Sequence, residues 1–156
     1  MIQLHCSYYS LAFDKRGNKM NRAYSVKCTA CDYAETFYLG LGYNDKNIVS
    51  EAVFNIITGF YGEQAEKFAV QSSTCKIECE RTLYRCWQCG NLETRIKLRI
   101  LAEEASYLPP HFCSRCGRLA GQVKPDDIEK QLCPVCKNPI EITDVSPWDI
   151  APQPKR

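Results

Sequence analysis

The chain has 156 residues, of which 45% are hydrophobic and 24% charged, and its formal net charge is +2. This length suits one ordinary domain or two small ones, and the apolar content is sufficient for a hydrophobic core. No stretch approaches the roughly 20 consecutive apolar residues of a transmembrane helix, and the N-terminus lacks the apolar core of a signal peptide. A soluble, cytoplasmic protein is therefore expected.

The first part of the chain predicts an N-terminal arm followed by a hairpin. Residues 1–22 form the arm, in which residues 3–13 favour a strand and residues 15–19 a basic turn. Residues 23–27 and the aromatic run at 33–39 then predict two strands on either side of a cysteine pair.

A helical segment is predicted next. Its apolar residues recur at helical spacing and are Ile48, Val49, Ala52, Val53, Ile56 and Ile57. Asn44 or Asp45 is expected to cap this helix, and Gly59 to end it. A second, shorter helix is predicted over residues 63–70.

The pattern then returns to strands. Residues 76–85 predict one strand, and residues 91–100 alternate apolar and polar side chains, which is the period-two pattern of a half-buried strand. Pro109 and Pro110 follow a composition shift, and a domain boundary is expected there. Residues 109–144 would form a second small domain with one helical turn at 125–130, and residues 145–156, anchored by Trp148, a tail.

One four-residue pattern, Cys-x-x-Cys, recurs along the chain and is here called a knuckle. It occurs at Cys28–Cys31, Cys86–Cys89, Cys113–Cys116 and Cys133–Cys136. Two residues between the thiols direct both sulfurs at one ion, so four knuckles supply the ligands of two tetrahedral all-cysteine zinc sites. In a reducing cytosol such pairs indicate metal ligands rather than disulfides. Each zinc tetrathiolate carries a charge of −2, so two of them change the net charge from +2 to −2.

The partition of the knuckles between two ions has two solutions. Cys113–Cys116 and Cys133–Cys136 are separated by 16 residues, a common zinc spacing, which leaves Cys28–Cys31 to pair with Cys86–Cys89. This solution is preferred because each half of the chain is then self-contained. In the rival solution the two middle knuckles share one ion and the two outer knuckles share the other. Cys6, Cys75 and Cys79 remain: either the Cys75–Cys79 pair forms a third site with His5 or Cys6, or all three are small buried side chains.

The order of motifs in residues 23–95 resembles a group of small, uncharacterised bacterial zinc-ribbon proteins. The shared features are a starting knuckle (KCTAC), an aromatic strand, a Gly-x-Gly turn, a helix, a Gly-x-Tyr-Gly-like turn and a closing knuckle followed by glycine (CWQCG). The resemblance implies metal positions at Cys28, Cys31, Cys86 and Cys89 and brings no known activity. The last two knuckles are similar to generic zinc-ribbon and rubredoxin-type turns.

These observations predict an α+β fold, in which a zinc-ribbon domain with a two-helix insert (23–108) precedes a second zinc ribbon. The predicted function is a non-catalytic module with two Zn²⁺ ions that binds protein or nucleic acid, without a membrane or a small-molecule substrate. Basic residues near the second knuckle are candidate nucleic-acid contacts: Arg81, Arg85, Arg95, Lys97 and Arg99.

Two other functions are weighed against this prediction. A rubredoxin-like iron protein is the alternative, because four thiolates bind Fe as well as Zn. Catalysis is disfavoured, since His5 and His111 lie in no catalytic motif, although His111 stands close enough to Cys113 to replace a cysteine ligand.

Overall fold

The protein is described by a computed structural model that covers residues 6–8, 21–41, 48–71 and 75–148. It has the expected α+β class, with mostly antiparallel sheets and two helices. The strands are β1 (Cys6–Tyr8), β2 (Arg22–Cys28), β3 (Ala34–Leu39), β4 (Cys75–Cys86), β5 (Leu92–Leu101), β6 (Ser106–Tyr107), β7 (His111–Phe112), β8 (Leu119–Val123) and β9 (Ile140–Pro147). The helices are α1 (Ile48–Ile57) and α2 (Glu63–Gln71), and Pro125–Lys130 forms a 3₁₀ helix.

The strands form two sheets. The larger has the order β6-β5-β4-β8-β7, with β1 parallel to β4, and the smaller has the order β3-β2-β9. A bridge between Gly40 and Arg81, whose backbone groups exchange two hydrogen bonds of 2.9 Å, joins the end of β3 to β4. The two sheets are therefore connected beside the middle of the longest strand.

The same three-strand arrangement occurs twice, one copy nested inside the other. In the inner unit, β4 and β5 form a hairpin and β8 pairs antiparallel with β4. In the outer unit, β2 and β3 form a hairpin and β9 pairs antiparallel with β2. The strands of the outer unit thus come from before and after the inner unit and enclose it in sequence.

This nesting corrects the predicted division of the chain. Residues 109–144 do not form a self-contained ribbon, because β8 lies against β4 and β9 lies against β2. The prolines at 109 and 110 mark a crossing between the two edges of the larger sheet, from β6 to β7, and Pro109 is fully buried. A proline pair stiffens a segment, and this property does not distinguish a linker from a buried crossing.

Three hydrophobic clusters hold the units together. The first lies between the sheets and includes Val26, Phe37, Leu83 and Ile140. In the second, the helices pack on the start of β4 and the end of β5. Its members are Ala52, Ile56, Ala65, Ala69, Cys75, Ile77, Leu98 and Ile100. The third, small cluster consists of Leu41, Ile48 and Cys79. Among the predicted apolar positions of α1, Ile48, Ala52 and Ile56 are buried and Ile57 is exposed, and in β5 the predicted positions Leu92, Leu98 and Ile100 are buried.

Three predicted features lie outside the described residues. They are the arm at 1–22 (apart from β1 and residues 21–22), the helix cap at Asn44 or Asp45, and the tail after Trp148. Within the described residues, β9 extends to Pro147 where a tail was expected, and the indole Nε1 of Trp148 donates to the carbonyl of Leu39 at 2.8 Å. No helix among the described residues is long and apolar enough to cross a membrane.

Candidate metal centres

The described residues contain two groups of four cysteines, and in each group all four Sγ atoms lie within 4.8 Å of one another. The outer centre consists of Cys28, Cys31, Cys133 and Cys136, and the inner centre of Cys86, Cys89, Cys113 and Cys116. The preferred partition of the knuckles was wrong, and the rival partition is the one found. Strand pairing is the physical reason for this partition. β9, which follows the knuckle at 133–136, pairs with β2, which leads into Cys28, and β8, which follows the knuckle at 113–116, pairs with β4, which leads into Cys86.

All four knuckles share one backbone hydrogen bond. In each, the N–H of the first cysteine donates to the carbonyl five residues later, which closes a tight loop and directs both sulfurs to the same side. The bonds are Cys28 to Tyr33 (2.8 Å), Cys86 to Asn91 (2.9 Å), Cys113 to Arg118 (2.7 Å) and Cys133 to Asn138 (2.7 Å). Gly90 and Gly117 have φ of 73° and 71°, the left-handed conformation that glycine adopts without steric cost.

The sulfur positions fit a tetrahedral ion. In the outer centre the distances between Sγ atoms are 3.3 Å for Cys28–Cys136 and 3.7 Å for Cys31–Cys133. The corresponding distances in the inner centre are 3.4 Å for Cys86–Cys116 and 3.7 Å for Cys89–Cys113. Metal–sulfur bonds of about 2.3 Å in a regular tetrahedron place the sulfurs about 3.8 Å apart. The geometry therefore suits zinc or iron, and does not choose between them.

Hydrogen-bond donors surround the sulfurs, as thiolate ligands require. Backbone N–H groups inside the knuckles donate to the first sulfur of each pair: Ala30 to Cys28 (3.3 Å), Cys89 to Cys86 (3.4 Å), Arg115 to Cys113 (3.3 Å) and Val135 to Cys133 (3.4 Å). The side-chain amide of Asn138 adds a bond of 3.4 Å to Cys136. Such donors favour the charged form of sulfur and orient the ligand.

Without an ion, the thiols of each centre divide into two kinds. The pKa of Cys86 is lowered to about 6, chiefly by the N–H of Cys89, and the pKa of Cys136 to about 6, chiefly by the Asn138 side chain. For Cys31 the N–H of Tyr33 lowers the pKa, but desolvation and the neighbouring thiols raise it to about 12. For Cys116 the N–H of Arg118 is outweighed in the same way, and the pKa also rises to about 12. Four thiols at this distance cannot all ionise unless a cation joins them.

The remaining cysteines belong to neither centre. Cys75 forms a disulfide, and Cys6 lies in register with it in the parallel β1–β4 pair. Cys79 is a buried thiol in the small cluster with Leu41 and Ile48. The disulfide excludes a third metal site that includes Cys75, whereas the eight cysteines of the four knuckles all belong to the two centres.

The five basic residues proposed as a nucleic-acid contact do not form one patch. In an antiparallel pair, directly opposite residues share a face. Arg81 and Arg85 lie opposite Ile96 and Leu92, whereas Arg95, Lys97 and Arg99 lie opposite Thr82, Glu80 and Glu78 on the other face. On that second face acidic groups balance the cations, since Arg95 contacts Glu93 at 3.3 Å and Arg99 contacts Glu78 at 3.9 Å.

His111 is not a ligand of either cysteine group. Its ring stacks on Tyr84 with centroids 4.1 Å apart, and its Nε2 is buried without a hydrogen-bond partner among the described residues. Burial, helped by Arg95, lowers the pKa of His111 to about 4. The imidazole lines a cavity of about 470 Å³ together with Tyr61, Arg81 and Phe112. His5 lies outside the described residues.

An exposed apolar surface lies beside the inner centre, and the sequence pattern did not predict it. Trp87, Phe112 and Leu119 are 72%, 58% and 51% exposed. The N–H of Trp87 donates to the carbonyl of Leu119 at 3.4 Å, and Phe112 pairs with Leu119 across β7 and β8. The indole lies on the backbone of Gly121, where a Cβ would overlap the ring. We call Trp87, Phe112 and Leu119 the aromatic surface.

Comparisons with protein-family models, with curated proteins and with solved structures found no match to this chain.

Proposed function

We propose that the chain is a non-catalytic zinc protein, in which two nested zinc ribbons carry one Zn²⁺ each and present a surface to a macromolecular partner. The observation that supports this most is the pair of separate, all-cysteine centres with tetrahedral sulfur spacing. Four protein ligands fill the coordination of zinc and leave no position for water or substrate, as in structural rather than catalytic sites.

A protein is a better partner than nucleic acid for this chain. The aromatic surface is apolar, exposed and fixed in place, since the Trp87 ring rests on Gly121 and its backbone is bonded to Leu119. Fixed aromatic side chains lose little entropy on binding and are enriched in protein interfaces. By contrast, the strand face that carries Arg95 and Arg99 is balanced by carboxylates, and the two loaded centres add further negative charge.

Elemental analysis of natively purified protein tests the metal part of the proposal. We expect two zinc ions per chain and a colourless solution. A red protein with absorbance in the visible range would instead support the rubredoxin-like iron alternative. Fewer than two tightly bound metals per chain would contradict both.

Capture from a lysate of the source cells tests the partner part. Trp87→Ala should abolish retention of a protein partner, because the indole is the largest exposed contact of the aromatic surface. The matched control is Phe54→Ala on α1, which removes a side chain that is 65% exposed and lies outside that surface. Equal retention by Trp87→Ala and Phe54→Ala would contradict the assignment, and nuclease-sensitive retention would favour nucleic acid.

A further inference from the structure

The residue after the last knuckle has an unusual conformation. Lys137 has φ of 65°, and it is the one residue other than glycine with positive φ in the described part of the chain. The same position after two other knuckles holds Gly90 and Gly117. A side chain other than glycine is sterically strained in the left-handed region, so a compensating interaction is expected for a lysine here.

That interaction is with the other centre. Nζ of Lys137 donates to the carbonyl of Cys89 at 2.8 Å and to the carbonyl of Pro134 at 3.1 Å. Pro134 belongs to the outer knuckle and Cys89 is an inner ligand. One ammonium group therefore ties the backbone of a ligand in one centre to a knuckle of the other.

A neighbouring glycine keeps room for this contact. A Cβ at Gly90 would lie 2.9 Å from Nζ of Lys137, so the ammonium group would have to move. Gly90 thus serves its own knuckle through its positive φ and leaves space for the lysine of the other.

A second cationic side chain connects the two centres, this time from the inner centre to the outer one. Arg85, which precedes the inner ligand Cys86, donates to Oε1 of Gln131 at 3.1 Å. Gln131 lies two residues before the outer ligand Cys133 and is anchored to the carbonyl of Asp127 at 2.9 Å. Each centre is therefore flanked by one cationic side chain that hydrogen-bonds to a residue in or next to a knuckle of the other centre.

We infer that the two centres bind and release metal cooperatively, with Lys137 as the positioning residue that couples them; the inference rests on the proposed two-metal function. When the outer knuckle is closed around its ion, Lys137 is held where it fixes the carbonyl of Cys89, so the inner knuckle begins closer to its loaded geometry. The ammonium also offsets the repulsion between two loaded centres, each of which carries a net negative charge. Loss of Lys137 removes both effects.

Lys137→Gly isolates this contact without disturbing the knuckle, because glycine relieves the backbone and is the residue found at the same position after both inner knuckles. The control Lys130→Gln makes the same charge change at an exposed lysine that contacts Asp127 instead. Full-length protein loaded with zinc is titrated with a chelator under reducing conditions, and native mass spectrometry counts the forms with zero, one and two zinc ions.

With coupling of about tenfold, the one-zinc form stays near a quarter of the wild-type protein at half release, whereas independent equal sites give about half. We expect the one-zinc fraction to rise in Lys137→Gly and to stay at the wild-type level in Lys130→Gln. Equal one-zinc fractions in wild type and Lys137→Gly would overturn the coupling, as would a Lys137→Gly protein that binds fewer than two ions at saturation. Fewer than two ions in the wild type would instead overturn the proposed function.

Discussion

The outer and inner centres are built from the same parts and differ in their surroundings. Cys28 and Cys133 of the outer centre are members of the main hydrophobic cluster, and Cys31 and Cys136 pack against it. The inner ligands belong to none of the clusters in the described residues, and Cys116 is exposed. An ion in the outer centre would therefore hold together a core, whereas an ion in the inner centre would hold together the end of a sheet that other contacts also support.

The largest effect is expected from Cys133→Ser. Cys133 is fully buried in the main cluster, so loss of the outer ion leaves uncompensated thiols inside the core. Structural zinc is worth about 10–16 kcal/mol in small domains, comparable to the whole stability of a protein of this size. We expect the outer unit to unfold, with collapse of the dispersed amide proton spectrum.

The control for that prediction is Cys79→Ala, which removes a buried thiol that is no ligand. It should cost about 1–2 kcal/mol and retain two metal ions. A Cys133→Ser protein as well folded as Cys79→Ala would break the contrast between the centres.

Cys116→Ser should have a smaller effect, because its ligand is exposed and its centre lies outside the clusters. We expect one zinc ion per chain, retained helical circular dichroism and a smaller loss of stability than in Cys133→Ser, since the opening stays local to the β4–β5 and β7–β8 turns. Amide hydrogen exchange should accelerate at those turns. Acceleration throughout β2 and β9 would show that the centres are equally central to the fold.

The pH dependence of metal affinity should be the same for both centres. In each, one thiol has its pKa raised to about 12 (Cys31, Cys116) and therefore holds a proton at neutral pH that must leave when the ion binds. Cys136 and Cys86, with pKa lowered to about 6, are already ionised above that pH. Affinity should therefore rise with pH, about tenfold per unit for each proton released.

Competition with a chelator across neutral pH measures this slope, with Cys116→Ser used to report the outer centre alone. A pH-independent affinity would contradict the proton release. Different slopes of metal affinity against pH would show that the two centres release different numbers of protons, in addition to the difference in their surroundings.

The smallest effect is expected at the surface of the outer unit. Lys27 and Glu141 pair across β2 and β9 at 3.0 Å, with side chains 56% and 50% exposed. Exposed pairs contribute less than about 1 kcal/mol and are screened by salt. Glu141→Gln should shift the unfolding midpoint by a degree or two at most, and a large shift in calorimetry would mean that the outer unit depends on surface charge.

Local sequence patterns predicted the helices and strands of this fold. They did not predict which distant strands pair with each other. The alternation at Leu92–Ile100 and the helical spacing at Ile48–Ile56 record which side is buried, so β5 and α1 were predicted correctly. The partition of the knuckles depends on which strand β8 and β9 join. Leu119–Val123 and Ile140–Pro147 carry no residue pattern that selects β4 over β2 as a partner. Spacing along the chain favoured adjacent knuckles, and the tertiary structure joins distant ones.

The basic residues show the same limit on a smaller scale. Arg85 and Arg95 are close in sequence, but the turn between β4 and β5 and the strand alternation place them on opposite faces. The aromatic surface was equally unpredictable from the sequence. Trp87 and Phe112 become neighbours only because Trp87 bonds to Leu119, which pairs with Phe112.

The nested order of the two units has a consequence for biosynthesis. β2 pairs with β9 from Arg22 opposite Pro147 to Cys28 opposite Ile140, so the outer sheet joins segments on either side of the inner unit in sequence. As the polypeptide leaves the ribosome, the inner unit has all of its strands once Val123 has emerged, while Cys28 and Cys31 still wait for their partners. The outer centre is therefore the last whose four cysteines are all synthesised, and a product truncated before Cys133 lacks two of them.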